Sequence, residues 1–335
     1  MKKKIPIWLK IIIIVISLLL ILGITVFAYV MISLGKINKA SEREFEVIPP
    51  ESEYFETEVF EEIPKEFLQL KPEEVEWEAQ KDITQDKEII NILLIGQDRR
   101  EGEVRARADS IMIATINKKT NSIQLTSIMR DLYVQIPEYS DNRINAAYAF
   151  GGMELLEATV ESNFGIEIAG NIEVDFNGFI ASIDTIGGIE MEFNQDEISY
   201  LNEKHGWSLV IGINHLSGEQ ALAFSRVRYV GNNDYERTER QRRVIMAVFE
   251  KTKSSSLTTI LGLADKMFPL VTTDLSQKDM ISYATSILTN KITTIESYRI
   301  PVEGGYQPAV IYGMQVLIPE LAVTHEYLQE KIYNR

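Results

Sequence analysis

Residues 11–31 are apolar at nearly every position, and Lys2, Lys3, Lys4 and Lys10 stand in front of them. At ~1.5 Å of helical rise per residue, such a run reaches across a hydrocarbon core. The pattern predicts one transmembrane helix over residues 11–33. Residues 1–10 then form a cytoplasmic tail, and everything after the helix lies outside the cell membrane. A cleavable leader is the alternative, but its apolar core is shorter, about 7–15 residues, and ends in small side chains. Here the run ends at Tyr29, Val30, Met31 and Ile32.

The pattern then changes. Glutamate dominates residues 41–88, Pro49, Pro50, Pro64 and Pro72 interrupt them, and acids alternate with apolar residues over 51–62. Such a segment buries too little to order itself, which predicts an acidic extracellular linker over residues 34–88. A docking strand for a basic partner is the other reading.

Regular periodicity returns at Ile89 and marks a folded domain over residues 89–335. Residues 89–95 are apolar almost throughout, as in a central strand covered on both faces. Residues 110–117 and 122–129 are two further strands, joined by a turn at 118–121. A strand with one wet face follows at 189–193. Helices are predicted over 154–163, 176–186, 219–224, 236–253, 257–271, 278–288 and 318–332. This mixture implies an α/β fold, a three-layer α/β/α sandwich around a central mixed sheet, preceded by the single membrane helix.

Composition narrows the function. With 335 residues, 45% of them hydrophobic, the chain can build such a core. The absence of cysteine removes disulfides, thiolate nucleophiles and Cys-ligated zinc. His205, His215 and His325 form no ligand set or triad; His215 reads as a packing or hydrogen-bonding residue. A net charge of −15 argues against a nucleic-acid partner, which would need a basic face.

What remains is a set of arginines and aspartates at the ends of apolar runs. Asp98 follows the first strand and its Gly96, at the edge where open α/β sheets bind ligands. Asp109 begins the next strand, close enough along the chain for both carboxylates to reach one metal. Each aspartate taken alone also reads as a turn or strand cap. Arg107 and Asp109 share a face in extended chain, as do Arg226 and Arg228. Arg130 emerges at the end of the third strand beside Asp131. Arg237, Arg240 and Gln241 follow one another at helical spacing near a helix start. Clustered arginines repel unless an anion separates them, and a guanidinium grips phosphate oxygens in pairs. Carboxylates beside phosphates hold Mg²⁺. The set reads as a pyrophosphate site with a metal, although any one arginine could be a surface ion pair. Asn145 and Tyr148 read equally as structural or pocket-lining.

These segments resemble the LytR-CpsA-Psr family: NILLIGQD at 91–98, RADS at 107–110, SIMRD at 127–131, RINAAYAFGG at 143–152, HLSGEQALAFSRVR at 215–228 and DYERTERQRR at 234–243. The resemblance implies a Mg²⁺-dependent phosphotransferase. It would move a glycopolymer such as wall teichoic acid or capsule from an undecaprenyl-pyrophosphate carrier to a peptidoglycan hydroxyl, leaving a phosphodiester. It implies Asp98 and Asp109 as Mg²⁺ ligands, and Arg107, Arg130, Arg226, Arg228, Arg237 and Gln241 as pyrophosphate ligands. Asp98, Arg107 and Arg130 would be catalytic, with Asp98 a candidate base. The apolar segment 257–271 is a candidate to line the lipid tail, or an ordinary core helix. Met129 stands where the family has proline, and Gln97 where it has a small residue. The competing readings are a membrane-tethered transcriptional attenuator and a carrier-binding protein or pyrophosphatase without wall transfer.

Overall fold

The apolar run at Ile89 forms the centre of a seven-stranded mixed sheet. A computed structural model describes residues 28–42, 67–78, 82–97, 108–228, 233–253, 257–290, 292 and 294–334. Two short strands come first, β1 (Asn38–Lys39) and β2 (Leu68–Gln69), followed by the long β3 (Ile89–Gln97), β4 (Ala108–Asn117) and β5 (Ser122–Ile128). A small ribbon, β6 (Tyr133–Val134) and β7 (Asn142–Arg143), leads into helix α1 (Ile144–Phe164). Then come β8 (Asn171–Asp175), α2 (Phe176–Thr185), β9 (Ile189–Phe193), α3 (Gln195–His205), β10 (Gly212–Leu216), α4 (Gly218–Ser225) and α5 (Asn233–Lys253). The chain closes with α6 (Leu257–Met267), β11 (Val271–Thr273), α7 (Gln277–Thr289), β12 (Thr294–Ile300), β13 (Tyr306–Ile311), β14 (Met314–Pro319) and α8 (Leu321–Leu328).

The main sheet has the order β1-β11-β8-β3-β4-β5-β12. β3 pairs antiparallel with β4 and parallel with β8, and β5 is antiparallel to β4. Both faces of β3 are covered, which explains why it lacks the alternation of a half-wet strand. On one face Leu93, Ile95 and Ile113 pack with Leu156, Val160 and Phe164 of α1. On the other, Ile90, Ile92 and Ile116 meet Met280, Tyr283 and Ile287 of α7. The expected layered α/β architecture with a central mixed sheet is thus present. A second core joins the antiparallel pair β9–β10 to α2, α3, α4 and α5, with Phe193 set edge-on against Phe224.

Several elements depart from the sequence expectations. Segment 257–271 is helical only to Met267; a 3₁₀ turn containing Pro269 follows, and Val271 starts β11. The last helix begins at Leu321 rather than 318, because Tyr312 and Gly313 take positive φ (51° and 78°) and fold 306–319 into a hairpin. Helix α1 starts ten residues before the expected 154, and Gly151 and Gly152 break its regularity instead of preceding it. Inside the stretch expected to be linker, Leu34 and Ile37 are buried and β1 joins the main sheet. Further along, β2 pairs with β13, Trp77 stacks on Tyr133 at 6.0 Å, and its Nε1 donates to Asp141 at 2.6 Å. Two-residue strands carry no periodic signal, so these pairings depend on distant partners. Residues 28–34 are helical, while 1–27 lie outside the described residues. Among the described residues no helix is long and apolar enough to cross a membrane.

Candidate active site

β3, β5 and β8 all end, and β4 begins, at one edge of the sheet. Gln97 aligns with Ala108 on one side and Asp175 on the other. Gly96 lets the backbones come close there, since a Cβ at this position would sit 3.0 Å from Cβ of Ser110. Gln97 is buried, and its amide donates to Glu173, which also accepts from the Tyr148 hydroxyl. A carboxylate that is only 2% exposed needs such donors. This gives a role to the glutamine that replaces the family's small residue, and it makes Tyr148 a structural support directly behind the edge.

Arg130 is delivered by the turn that ends β5. Met129 N donates to Ile300 O (3.0 Å), Leu132 N to Met129 O (3.1 Å), and Asn145 N at the start of α1 to Arg130 O (3.4 Å). The turn therefore forms with methionine in place of proline. Arg130 Nη1 lies 2.7 Å from Asp109 Oδ1, and its Nε lies 3.6 Å from Asp131. Asp131 is in turn 3.7 Å from Arg143.

Helix α5 crosses the same edge. Ser110 Oγ donates to Gln241 Oε1 at 3.1 Å. Arg237, one turn earlier on that face, is 3% exposed. Arg240, expected on the same face, turns elsewhere. It lies 3.4 Å from Glu197, its Nη2 donates to Glu236 at 2.7 Å, and its Nη1 donates to the carbonyl of Val227 at 3.2 Å. Val227 separates Arg226 from Arg228, so this buried contact fixes the pair of arginines. Arg226 lies with its guanidinium 4.5 Å above the ring of Phe176. Phe176 opens α2 directly after Asp175, whose side chain caps that helix at Gly178 N. Arg226 is thus tied to the end of β8.

The edge brings together Asp109, Arg130, Arg226 and Gln241, with Arg228 and Arg237 beside them in the chain. Asp98 and Arg107 lie outside the described residues. His215 is elsewhere, its Nδ1 2.7 Å from Glu190 across the β9–β10 pair. Among the described residues no cluster of three or more His, Asp or Glu could hold a metal. One or two carboxylates suffice for Mg²⁺ when phosphate oxygens and water complete its shell. Asp109, 28% exposed at the edge, fits one such place. Sequence reasoning missed Glu197, Phe176 and Glu173 as supports. Glu197 had a signal: with Asn194 it forms the capping box of α3.

A model described as the LytR_cpsA_psr family matches residues 58–330. The chain belongs to the LytR-CpsA-Psr family. Among similar curated proteins is the polyisoprenyl-teichoic acid–peptidoglycan teichoic acid transferase TagU of Bacillus cereus. It is 36% identical over 220 residues, covering 65% of this chain and 70% of that one. The protein of that name from Enterococcus faecalis is 36% identical over 204 residues, covering 58% and 64%. A solved structure, TagT bound to LI-WTA, superposes with TM-score 0.61 at 27% identity, covering 74% of this chain and 92% of that one. Another, the LytR-CPS2A-psr family protein YwtF (TagT) with bound octaprenyl pyrophosphate lipid, gives 0.56 at 25%, covering 76% and 94%. Within this LytR-CpsA-Psr chain, Trp77 and β2 fall inside the matched range, in keeping with their packing on the domain.

Proposed function

We propose that this chain is a phosphotransferase that takes a glycopolymer from a polyprenyl-pyrophosphate carrier and attaches it to a peptidoglycan hydroxyl. The observation that carries this reading is the single edge on which Asp109, Arg130, Arg226 and Gln241 meet, backed by the arginines beside them. Cationic forks on one side and a carboxylate on the other suit a diphosphate and its metal, and little else of that charge. The names of the relatives supply the polymer class, teichoic acid among them.

The chemistry is a displacement at the phosphorus on the polymer side. The acceptor hydroxyl oxygen forms a new P–O bond while the bond to the bridging oxygen breaks. The lipid leaves as its monophosphate, and the hydroxyl proton passes to a carboxylate, for which Asp98 is the candidate. Arg107, Arg130, Arg226, Arg228, Arg237 and Gln241 would hold the diphosphate oxygens and offset the charge that moves to the leaving phosphate. Such transfers depend mainly on positioning and electrostatics. Asp98 and Asp109 would hold Mg²⁺, which supplies further charge neutralisation when bound. The run 11–31 would anchor the chain as a single-pass membrane protein, amino terminus inside and catalytic domain outside.

The test combines the full-length protein with a polyprenyl-pyrophosphate oligosaccharide, peptidoglycan oligomers and Mg²⁺, with products followed by mass spectrometry. A phosphodiester-linked glycan, lost with EDTA and with Arg130→Ala, supports the transferase. Free oligosaccharide phosphate alone would mean a pyrophosphatase, and tight lipid binding without turnover would mean a carrier-binding protein.

A further inference from the structure

Next to the diphosphate edge, the end of β12 gathers cationic groups that the proposed displacement does not use. Met112 pairs with Ser127, and Ser127 with Arg299. Ser110 therefore shares one face of the sheet with Met112, Ser127 and Arg299. Helix α5 packs over β5 and β12 on that face, where Gln241 accepts from Ser110. The next residue, Arg242, reaches across to the edge strand, its Nε donating to Ser297 Oγ at 2.6 Å. Ser297 stands two residues before Arg299 and shares its face. The Arg299 guanidinium lies 4.4 Å above the ring of Tyr235, two residues before Arg237 on α5. Directly after Arg299, the Ile300 carbonyl accepts from Met129 N in the turn that delivers Arg130. Arg299 thus sits ~10 Å short of the level of Arg130, at ~3.3 Å per residue, and one strand spacing of ~4.8 Å to its side.

These cations lack anions. Arg242 is only 7% exposed, and among the described residues neither it nor Arg299 forms an ion pair. Arg242 Nη1, Arg299 Nε and Ser127 Oγ are buried atoms without a hydrogen-bond partner. Burial pulls the Arg242 guanidinium down to about 10; the exposed Glu239 opposes this, and the charge of Arg299 adds to it. Arg242 is still a cation at neutral pH. A purely structural arginine at that depth carries a carboxylate, as Arg240 does in Glu197. Two guanidiniums and a hydroxyl that converge without an internal acceptor make a place for an oxyanion. The half-buried Arg299 reaches the surface there.

We propose that Arg242, Arg299 and Ser127 form a second oxyanion site, adjoining the diphosphate edge, that takes a phosphate of the donor polymer. This rests on the transferase reading and deepens it, by naming what the enzyme asks of its donor: a phosphodiester within the glycopolymer, as teichoic acids carry, held at the same time as the diphosphate. A phosphodiester fits by its charge and by its two free oxygens, one for each guanidinium. The three side chains act as positioning and specificity residues. They set how the polymer lies, while the reacting phosphorus stays among Arg130 and its neighbours.

The test gives the full-length protein two synthetic donors, polyprenyl-pyrophosphate disaccharides that differ only in a glycerol phosphate on the terminal sugar. Peptidoglycan oligomers and Mg²⁺ complete the assay. Wild-type KM should be about tenfold lower for the phosphorylated donor, the worth of one charge-assisted contact. Arg299→Gln and Arg242→Met should each erase that preference and leave kcat and KM for the plain donor within about twofold of wild type. Equal KM values in the wild type, a loss shared by both donors, or a preference kept by both variants would overturn the proposal. So would a defect that follows the carboxylates of the acceptor instead of the phosphate of the donor. Thermal melts in inorganic phosphate, against chloride at matched ionic strength, need no turnover. In Arg130→Ala protein, phosphate should raise the melting temperature by roughly 2–4 °C, and adding Arg299→Gln should abolish the rise. That rise without reaction of either donor would remove the transferase reading and leave the oxyanion site standing. No rise, or one that survives Arg299→Gln, would remove the site.

Discussion

Arg130 Nη1 sits 2.7 Å from Asp109 Oδ1, a charge-assisted contact between the end of β5 and the start of β4. The pair holds a guanidinium at the edge of the sheet while leaving both side chains partly open, at 15% and 28% exposure. A phosphate oxygen can share that guanidinium without first displacing a buried partner. Replacing Arg130 by Ala should lower kcat for transfer by about 10²–10³-fold, the effect of losing one preorganised donor. Arg130→Lys should recover only a small part, because an ammonium lacks the planar fork. Single-turnover assays on a polyprenyl-pyrophosphate substrate measure this, and wild-type rates in either variant would remove Arg130 from the reaction.

Arg240 offers a different kind of test. It and Glu197 are each about 3% exposed, and Arg240 also holds the Val227 carbonyl. Removing one member of a buried pair costs ~3–5 kcal/mol because the other charge is stranded. Arg243, 2.7 Å from the same carboxylate, should reduce that cost. Arg240→Met is expected to lower stability by ~2–3 kcal/mol in urea unfolding and to raise KM as Arg226 and Arg228 lose their register. An unchanged KM in folded protein would show that Val227 needs no anchor.

Helix α4 meets α2 through Gly218, where a Cβ would lie 2.2 Å from the carbonyl oxygen of Ile180. Nothing flexible can move aside there. Gly218→Ala should therefore destabilise the domain by more than ~2 kcal/mol through backbone displacement, and lower the melting temperature accordingly. A melting temperature within a degree of wild type would contradict the packing described.

Glu157 on α1 carries a pH prediction. Burial, with the nearby Asp274, Glu161 and Glu154 charges, pushes its carboxyl up to about 7, against a partly offsetting hydrogen bond from Asn171. The native state then holds a proton that the unfolded state releases near its ordinary value of 4.5. Stability falls as pH rises from ~4.5 through ~7, since the native state binds more protons across that window. Glu157→Gln should flatten this part of the profile and stabilise the protein at pH 8 relative to wild type. Thermal melts at half-unit pH intervals would decide it, and parallel profiles for the two proteins would refute the assignment.

Much of this was legible in the chain. The unbroken apolar character of β3 announced a strand covered on both faces, and the turn after β4 announced its hairpin. The positions of Arg130 and Asp109 at strand ends, with Gln241 sharing a helix face with Arg237, pointed to one edge. What stayed hidden depended on long-range pairing. β1 is two residues long and acquires its meaning from Val271–Thr273, more than two hundred residues later. Arg240 shares the helical spacing of Arg237 and Gln241, yet Glu197 on α3 and the Val227 carbonyl draw it aside. The expected last helix, 318–332, takes in only the final two residues of the strand Met314–Pro319, and the rest of that strand gave no signal because the turn before it uses Tyr312-Gly313 rather than an asparagine-glycine pair. Sequence spacing reports which residues can share a face; only the partners decide which of them do.

β1 and β2, which stand before and after residues 43–66 in the chain, are each paired into the fold. A protease that cuts between them would sever the chain without freeing the domain. The amino-terminal fragment would keep its place as the edge strand of the main sheet, held by the β11 pairing, the Asp265 contacts and buried Leu34 and Ile37. Separating the two fragments would require that strand to be pulled out, so the cleaved chain should behave as one particle until the fold itself is denatured.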